Sequence, residues 1–342
     1  MTTQSTKPMP PSVPWSSADH PLDSFRSSIE PEAGEVLLSA AQRTTEVPLD
    51  ELSGTDLPIG GLVPLVNALS TELSHGRGLS IIDGFPVDEP AAALERFFWG
   101  IGLALGTPVS QSVMGERLGH VRDVTKTDPH ARAYRNRSEL TPHTDPADYL
   151  TFLCVHPAAR GGVSRFVSSH AIHDAMERES PELLERLCRG FRYHRLGEHP
   201  DGSAPITPHR VPVFSRMDGL LSCRYVRQYL EVAAAEEPDI EIDDTDRRAL
   251  ERLEELAGDP QLHHEFTLRR GEAVFANNFT VMHARSGFED RDGSSARHLL
   301  RLWISARRPR PVVPEILHYD GEPGIPAVAG KRPSYATDVE VQ

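Results

Sequence analysis

Four histidines are each followed two residues later by an acidic residue, a spacing that can bring an imidazole and a carboxylate to one metal ion. The chain has 16 His and 50 Asp and Glu in 342 residues, so about two such pairs are expected by chance. The pair His143 and Asp145 stands out. An extended backbone puts both residues on one face, and a strand-like segment follows directly.

The other three pairs lie in contexts that argue against metal binding. The pair at 199–201 is part of a Pro-Asp-Gly turn, and the pair at 318–320 lies in a proline-rich tail with no histidine after it. The pair at 263–265 lies where a helix gives way to a strand. We therefore favour His143 and Asp145 as ligands.

A third ligand is available in His283, which lies in a separate strand-like segment. Two imidazoles and one carboxylate on one face of an octahedron leave three open positions, which suits non-heme Fe(II). Catalytic zinc accepts the same ligands but usually keeps one open position. The alternative is that His143 caps a loop while His283 packs in the core.

Two arginines, Arg297 and Arg301, flank leucines in an apolar segment beyond His283. A guanidinium buried there needs a partner, because an unpaired buried charge is costly. A dicarboxylate cosubstrate would fit, since arginine binds carboxylates through a two-pronged fork. The alternative is an internal ion pair with Glu289 or Asp290.

Hydrophobic periodicity predicts an α+β protein with a substantial β core, formed as a closed double sheet. Predicted helices cover 62–75, 90–106, 180–189 and 244–257. Predicted strands cover 78–85, 149–155, 265–268, 272–276, 281–283 and 299–305, with a hairpin of 211–215 and 220–226.

Composition narrows the class of protein. Hydrophobic residues make up 38% of the chain, enough for a core, and the net charge of −14 argues against a nucleic-acid partner. The sequence has neither an apolar run long enough for a membrane span nor an apolar signal segment at its start. Three separated cysteines fit reduced thiols, so we expect a cytoplasmic protein.

Proline content divides the chain into three parts. Residues 1–28 are rich in proline, serine and threonine, which is typical of an extended or mobile arm. Residues 309–342 are also proline-rich and should form an irregular tail that wraps around the protein. We expect one catalytic domain over residues 29–308.

Four stretches of the sequence together resemble the TauD/TfdA-like family of Fe(II)- and 2-oxoglutarate-dependent oxygenases, including its clavaminate-synthase-like branch. In chain order they are LTPHTD, HPAARGGVSRF, RRGEAVFANNFTVMHARSGFED and ARHLLRLWIS. The resemblance spans residues 60–308. It implies a double-stranded β-helix, or jelly roll, with flanking helices, and a requirement for Fe(II), 2-oxoglutarate and O2.

The same resemblance assigns residue roles. It implies an iron-binding triad of His143, Asp145 and His283. Arg297 corresponds to the arginine that binds the distal carboxylate of 2-oxoglutarate, and Ser164 to the hydroxyl residue that assists it. Arg301 corresponds to a second arginine, near the proximal carboxylate of 2-oxoglutarate or a carboxylate of the substrate.

The implied reaction is hydroxylation of an unactivated C–H bond in a small polar metabolite, an amino acid or a natural-product intermediate, with release of succinate and CO2. The carboxylate of Asp145 favours hydroxylation over halogenation. Desaturation, epoxidation and cyclisation use the same cofactors and stay open. A non-catalytic jelly-roll metal-binding protein and a protein-modifying hydroxylase also stay open, and the oligomeric state is not indicated.

Substrate contacts are suggested by two regions. Relatives that bind a cationic amino acid carry acidic residues in the segment aligned with LSCRYVRQYL, where this chain has Arg224 and Arg227. An anionic substrate is therefore favoured over an arginine-like one, although ordinary surface charge would explain both residues. Residues 111–140 are expected to fold over the substrate as a lid. That region supplies three candidate anion-binding residues, Arg132, Arg135 and Arg137.

Overall fold

The structure is a computed structural model that describes residues 9–124, 136–290, 296–319 and 321–330. The helices in these ranges are α1 (Pro31–Arg43), α2 (Val63–His75), α3 (Ala91–Leu105), α4 (Ser169–Glu179), α5 (Pro181–Arg189), α6 (Arg227–Glu236) and α7 (Asp244–Ala257). The first strands are β1 (Arg26–Ser28), β2 (Leu79–Asp83), β3 (Gly106–Val109), β4 (Leu118–Val121), β5 (Leu140–His143), β6 (Tyr149–His156), β7 (Arg160–Gly161) and β8 (Ser164–Ser168). The remaining strands are β9 (Phe214–Met217), β10 (Leu220–Cys223), β11 (His263–Phe266), β12 (Ala273–Asn277), β13 (Val281–Arg285), β14 (Phe288–Glu289) and β15 (His298–Ala306).

Two sheets enclose the central core. The large sheet has the order β1-β2-β12-β6-β15-β3, with β4 also paired to β15, and the small sheet has the order β11-β8-β13-β5. Leu79 and Leu299 of the large sheet share one buried cluster with Phe166 and Val281 of the small sheet. The two sheets therefore pack face to face, which is the closed double sheet that the sequence predicts.

Helices cover the outer faces of the two sheets. The first three helices pack on the large sheet through apolar residues such as Leu37, Leu69, Phe97, Leu153 and Leu300. The last four helices pack beside the small sheet through residues such as Val167, Met176, Leu187, Leu250 and Met282. Because each sheet has its own helical cover, the space between the sheets is screened from solvent on both sides.

The side chains of β15 alternate between the two faces of the large sheet. Leu300 and Leu302 belong to the cluster beneath the helices. Leu299, Arg301 and Trp303 alternate with them and face the space between the sheets. The period of two thus puts a guanidinium and an indole into the interior without disturbing the helix-facing side.

Most predicted elements are confirmed within a few residues. The helix predicted over 244–257 matches α7, whose N-cap is Asp243, with its side chain accepting a hydrogen bond from the backbone N–H of Asp246. The predicted hairpin is formed by β9 and β10. Its turn residues Asp218 and Gly219 both have positive φ, 51° and 79°, as a tight two-residue turn requires. The strand predicted over 281–283 extends to Arg285, which brings one more charged side chain into the sheet.

The N-terminal segment is packed over residues 9–28, which differs from an extended or mobile arm. Trp15 and Phe25 are buried in the core between the sheets, and β1 adds to the edge of the large sheet in parallel with β2. The described part of the C-terminal tail, 309–319 and 321–330, contains one short 3-10 helix, Pro314–Ile316, and packs on the domain, where Tyr319 and Ile325 contact the cluster of Trp303. Apolar residues spaced among the prolines explain the packing of both ends. The domain boundaries themselves stay a prediction.

Replacing Trp15 with Ala should destabilise the protein by about 3–5 kcal/mol, the usual loss for a buried aromatic residue. The indole is 2% exposed, stacks on His264 at 5.5 Å and donates to the Arg77 carbonyl at 2.8 Å. Urea unfolding measures the change. Val13→Ala is the control, because that side chain is 46% exposed and its loss should cost less than about 0.5 kcal/mol. A loss below about 1 kcal/mol for Trp15→Ala would show that the arm does not stabilise the fold.

Candidate metal centre

Two histidines lie opposite each other where β13 pairs with β5. The register sets His283 directly against His143, and their ring centroids are 4.2 Å apart. Asp145 follows β5, with its carboxylate oxygens 3.9 Å from His143 Nε2 and 3.7 Å from His283 Nε2. One ligand atom of each residue lies within 4.8 Å of the other two. The three residues can therefore bind one metal ion.

Each imidazole places its Nε2 near the Asp145 carboxylate. His143 Nδ1 lies 2.8 Å from the Thr141 carbonyl oxygen, which can only accept a hydrogen bond, so Nδ1 carries a hydrogen and Nε2 is the nitrogen that faces Asp145. Burial lowers the pKa of His283 to about 3, and the neighbouring His143 acts in the same direction. His283 is therefore neutral at physiological pH, as a metal ligand must be.

The carboxylate of Asp145 is fixed from several sides. Trp303 donates its indole N–H to one carboxylate oxygen at 2.8 Å. The backbone N–H of Asp145 donates to the Asn278 side chain at 3.0 Å. Burial alone raises the pKa of this carboxyl, but the opposing effects of His283, Arg301 and His143 and the Trp303 hydrogen bond hold it below its usual value. Asp145 is thus ionised and oriented before any metal binds.

A cavity opens beside the triad, between the two sheets. Its apolar walls come from both sheets. The described lining consists of Val121, Leu140, His143, Phe152, Ser164, Phe166, His283, Ala284, Arg285, Arg297, Leu299 and Arg301. Three arginines and no acidic residue thus line the described part of a largely apolar space. Such a cavity favours an anionic ligand next to the metal.

Arg297 is well placed to bind an anionic ligand in this cavity. Its side chain is buried, and Nη1 has no hydrogen-bond partner within the described residues. Asp290 accepts a hydrogen bond from the backbone N–H of Arg297, at 2.6 Å, while Glu289 faces Arg160. Asp290 therefore lies beside Arg297, and its charge opposes the effect of burial on the pKa of the guanidinium. Burial lowers the pKa of Arg297 to about 10.

The Gly-Gly pair leaves room for this guanidinium. Gly161 and Gly162 both have positive φ, 70° and 65°, a region that favours glycine. A Cβ at Gly162 would lie 3.4 Å from Arg297 Nε. Ser164 follows on β8 and lines the same cavity, so the loop and the serine lie on the Arg297 side of the site.

Arg301 is held by its neighbours. Its Nε donates to Gln111 Oε1 at 2.6 Å, and its guanidinium carbon lies 4.7 Å from the Trp303 ring centroid. Gln111 is fully buried and also donates to the Arg301 carbonyl at 2.9 Å. Gln111 therefore sets the direction of Arg301, a contact that no sequence pattern indicates.

Arg285 also lines the cavity, although it is not among the residues predicted from the sequence. The signal was present, because residues 283 and 285 share one face of a strand. The predicted strand ends at residue 283, so the sequence-based prediction does not place residue 285 on the same face as His283.

The residues predicted to contact substrate have other neighbours. Arg224 is buried and donates to the carbonyl oxygen of Asp145, so it supports the triad from behind. Arg227 bonds to Glu231 and Glu254. Neither is among the described lining residues of the cavity. Of the lid residues, Arg137 pairs with Asp123, whereas Arg132 and Arg135 lie outside the described residues.

The other histidine–acid pairs do not join a three-ligand group within the described chain. Besides the triad, the described residues contain one such group, His173, Asp174 and Glu177 on α4. Its two acids are exposed, and His173 Nδ1 lies 3.3 Å from Asp174. This is an ordinary helix-surface contact, so we assign it no role.

Comparison with known proteins identifies the family. Residues 50–303 match the family described as "Taurine catabolism dioxygenase TauD, TfdA family". The chain belongs to the TauD/TfdA family. FR-33289 synthase of Streptomyces rubellomurinus is 32% identical over 288 residues, 80% of this chain and 83% of the relative. The taurine hydroxylase-like protein SAT17 of Stachybotrys chartarum is 29% identical over 269 residues, 73% of this chain and 67% of that protein.

A solved structure confirms the predicted fold of this TauD/TfdA-family chain. Asparagine oxygenase in complex with Fe(II), 2S,3S-3-hydroxyasparagine and succinate gives a TM-score of 0.64 at 16% identity. The match covers 82% of this chain and 93% of that one. The fold is thus the double-stranded β-helix expected from the sequence.

Family membership also confirms the predicted enzyme class. The protein is a 2-oxoglutarate-dependent non-heme iron dioxygenase that uses Fe(II), 2-oxoglutarate and O2. The ligand set fits, because three oxygen- and nitrogen-donor side chains converge beside a cavity with unsatisfied guanidinium groups. Within the described ranges, no helix has the length and apolar character needed to cross a membrane.

Replacing Trp303 with Phe should weaken Fe(II) binding by about 10–100-fold, the usual effect of losing a partner that orients a metal ligand. The change removes the hydrogen bond to Asp145 and keeps most of the packing. Anaerobic calorimetric titration with Fe(II) measures the affinity.

Trp99→Phe is the matched control for this prediction. Trp99 is equally buried, and its indole N–H has no hydrogen-bond partner in the described chain. It should therefore leave iron affinity unchanged. Equal iron affinity of the two variants would contradict the orienting role of Trp303.

Proposed function

We propose that His143, Asp145 and His283 bind the iron of this dioxygenase, leaving three coordination positions directed at the cavity. The observation that carries the proposal is the convergence of the three ligand atoms within 4.8 Å of one another at the edge of a cavity between the sheets. Two imidazoles and one carboxylate are the ligand set used with open positions by non-heme Fe(II) oxygenases.

We further propose that Arg297 and Ser164 hold the distal carboxylate of 2-oxoglutarate, with Arg301 near its proximal carboxylate or a carboxylate of the substrate. Arg297 supports this role by its burial at the cavity and by its Nη1, which has no hydrogen-bond partner among the described residues. Bound Fe(II) and 2-oxoglutarate supply the oxidising power from O2, with release of succinate and CO2. The chain positions these groups and surrounds them with apolar side chains, which exclude water from the reacting carbon.

The proposed substrate is a small polar metabolite with an anionic group, hydroxylated at an unactivated carbon. Arg285, Arg297 and Arg301 line the cavity, and Asp145 is the adjoining carboxylate. Bound Fe(II) would add two positive charges to those of the three arginines. Asp145 and 2-oxoglutarate together would neutralise only part of this positive charge, so a substrate with an anionic group would balance the site. Taurine, named in the family description, is a sulfonate and thus an example of such a molecule.

A cytoplasmic location is part of the proposal. The three cysteines, Cys154, Cys188 and Cys223, are all free. Burial raises the pKa of the Cys154 and Cys223 thiols to about 12, so neither is a ready nucleophile for disulfide exchange. Free thiols are typical of proteins in a reducing compartment.

A panel of small metabolites tests the substrate class. Carboxylates, phosphates, phosphonates and sulfonates should stimulate succinate release from 2-oxoglutarate above the uncoupled rate, whereas free arginine should not. Mass spectrometry of the product should show the gain of one oxygen atom. Strongest stimulation by a cationic amino acid would contradict the proposed substrate class, and loss of two hydrogens without oxygen would indicate desaturation in place of hydroxylation.

Replacing Arg297 with Ala should raise the 2-oxoglutarate concentration needed for half-saturation by about tenfold or more, since a hydrogen bond to a charged group is worth about 1.5–3 kcal/mol. Iron binding should persist, because Arg297 is not a ligand. Anaerobic titration of the visible absorption of the iron–2-oxoglutarate complex measures the affinity. A variant that loses iron but keeps normal 2-oxoglutarate affinity would refute the role.

A further inference from the structure

Arg285 faces the same cavity as the iron ligands. Its strand β13 alternates, so Arg285 points to the same side as His283. The pairing with β8 sets Arg285 directly against Ser164, the residue proposed to bind the distal end of 2-oxoglutarate. The side chain is 7% exposed and lines the cavity. A charged group is thus buried next to the proposed cosubstrate site.

The guanidinium of Arg285 is only partly satisfied. Its Nη2 donates to the carbonyl oxygens of Asn136, at 3.0 Å, and Ser138. Its Nε is buried and has no hydrogen-bond partner among the described residues. Nη2 therefore binds the backbone of the segment that precedes β5, while the N–H of Nε has no hydrogen-bond partner among the described residues.

Phe288 lies close to both Arg285 and Arg297. Their guanidinium carbons lie 5.0 Å and 4.9 Å from the centroid of this ring. Both side chains are buried. Two like charges are therefore held on the same ring in a largely apolar space.

This arrangement is costly for the empty protein, because the two buried charges repel and each guanidinium has an N–H group without a hydrogen-bond partner among the described residues. A carboxylate between them would relieve both effects and satisfy the free N–H groups of Arg285 Nε and Arg297 Nη1. Arginine suits that task, since its N–H groups form a fork matched to two carboxylate oxygens.

We propose that Arg285 is a second arginine for the distal carboxylate of 2-oxoglutarate, which it binds together with Arg297 and Ser164. The inference rests on the proposed cosubstrate site and adds a residue to it. Two arginines make the site selective for a 2-oxo acid with a second carboxylate. The bonds to the carbonyls of Asn136 and Ser138 also link the bound cosubstrate to the segment that continues into β5 and His143.

Arg285→Gln tests the proposal by comparing two ligands. 2-Oxoglutarate and 2-oxopentanoate both chelate iron through the same atoms, but 2-oxopentanoate has a methyl group where the distal carboxylate would be. Affinity is measured anaerobically on the Fe(II) protein from the visible absorption of the chelate. We expect the variant to bind 2-oxoglutarate at least tenfold more weakly and 2-oxopentanoate within twofold of wild type.

Arg165→Gln is the matched control. Arg165 lies on β8 next to Ser164, but it pairs with Glu265 on the outer face of the small sheet. It should leave the affinity for both ligands unchanged. Arg285→Lys is a second variant should the glutamine variant not fold. Lysine keeps the charge and loses the fork, so it should still weaken 2-oxoglutarate selectively.

Two results would overturn the proposal. Equal weakening of both ligands would show that Arg285 acts only through the backbone of Asn136 and Ser138. Unchanged 2-oxoglutarate affinity would place Arg285 away from the carboxylate. Arg297→Gln separates this failure from failure of the proposed cosubstrate site. If Arg297→Gln weakens 2-oxoglutarate and Arg285→Gln does not, only the role of Arg285 is wrong. If neither does, the whole site is misplaced.

Discussion

The active site depends on one strand register in the small sheet, the pairing of β13 with β5 that sets His283 against His143. Side chains on a strand alternate between faces, so a slip of one residue would turn both His283 and Arg285 away from the cavity. The same strand pairs with β8 on its other side and sets Arg285 against Ser164. One register therefore orients the proposed metal ligands and the groups proposed to bind an anion beside them.

The resulting site concentrates positive charge in an apolar space. Arg285 and Arg297 each have a guanidinium N–H group without a hydrogen-bond partner among the described residues, and burial lowers the pKa of both. The fold tolerates this because packing holds the groups in place: Phe288 lies against both arginines, and Gln111 fixes Arg301. At the proposed cosubstrate site a dianion would satisfy these groups, so cosubstrate binding should also stabilise the folded protein.

The convergence of the three proposed ligands could be predicted from the sequence because each lies in a recognisable local pattern. His143 and Asp145 share a face at a spacing of two, and His283 lies in an apolar strand. Arg285 was missed because the boundary of its strand was set two residues early, and strand ends are where periodicity is weakest. The roles of Gln111 and Trp303 depend on tertiary contacts, to Arg301 and Asp145 respectively. The packing of Trp15 was hidden by the prolines around it, which suggested an extended chain.

The most direct test is an anaerobic crystal structure of the protein with Fe(II) and 2-oxoglutarate. The account predicts iron bound by His143 Nε2, the Asp145 carboxylate and His283 Nε2. It also predicts the distal carboxylate of 2-oxoglutarate within hydrogen-bonding distance of both Arg297 and Arg285. Iron bound by other residues, or a distal carboxylate that contacts neither of these arginines, would contradict it.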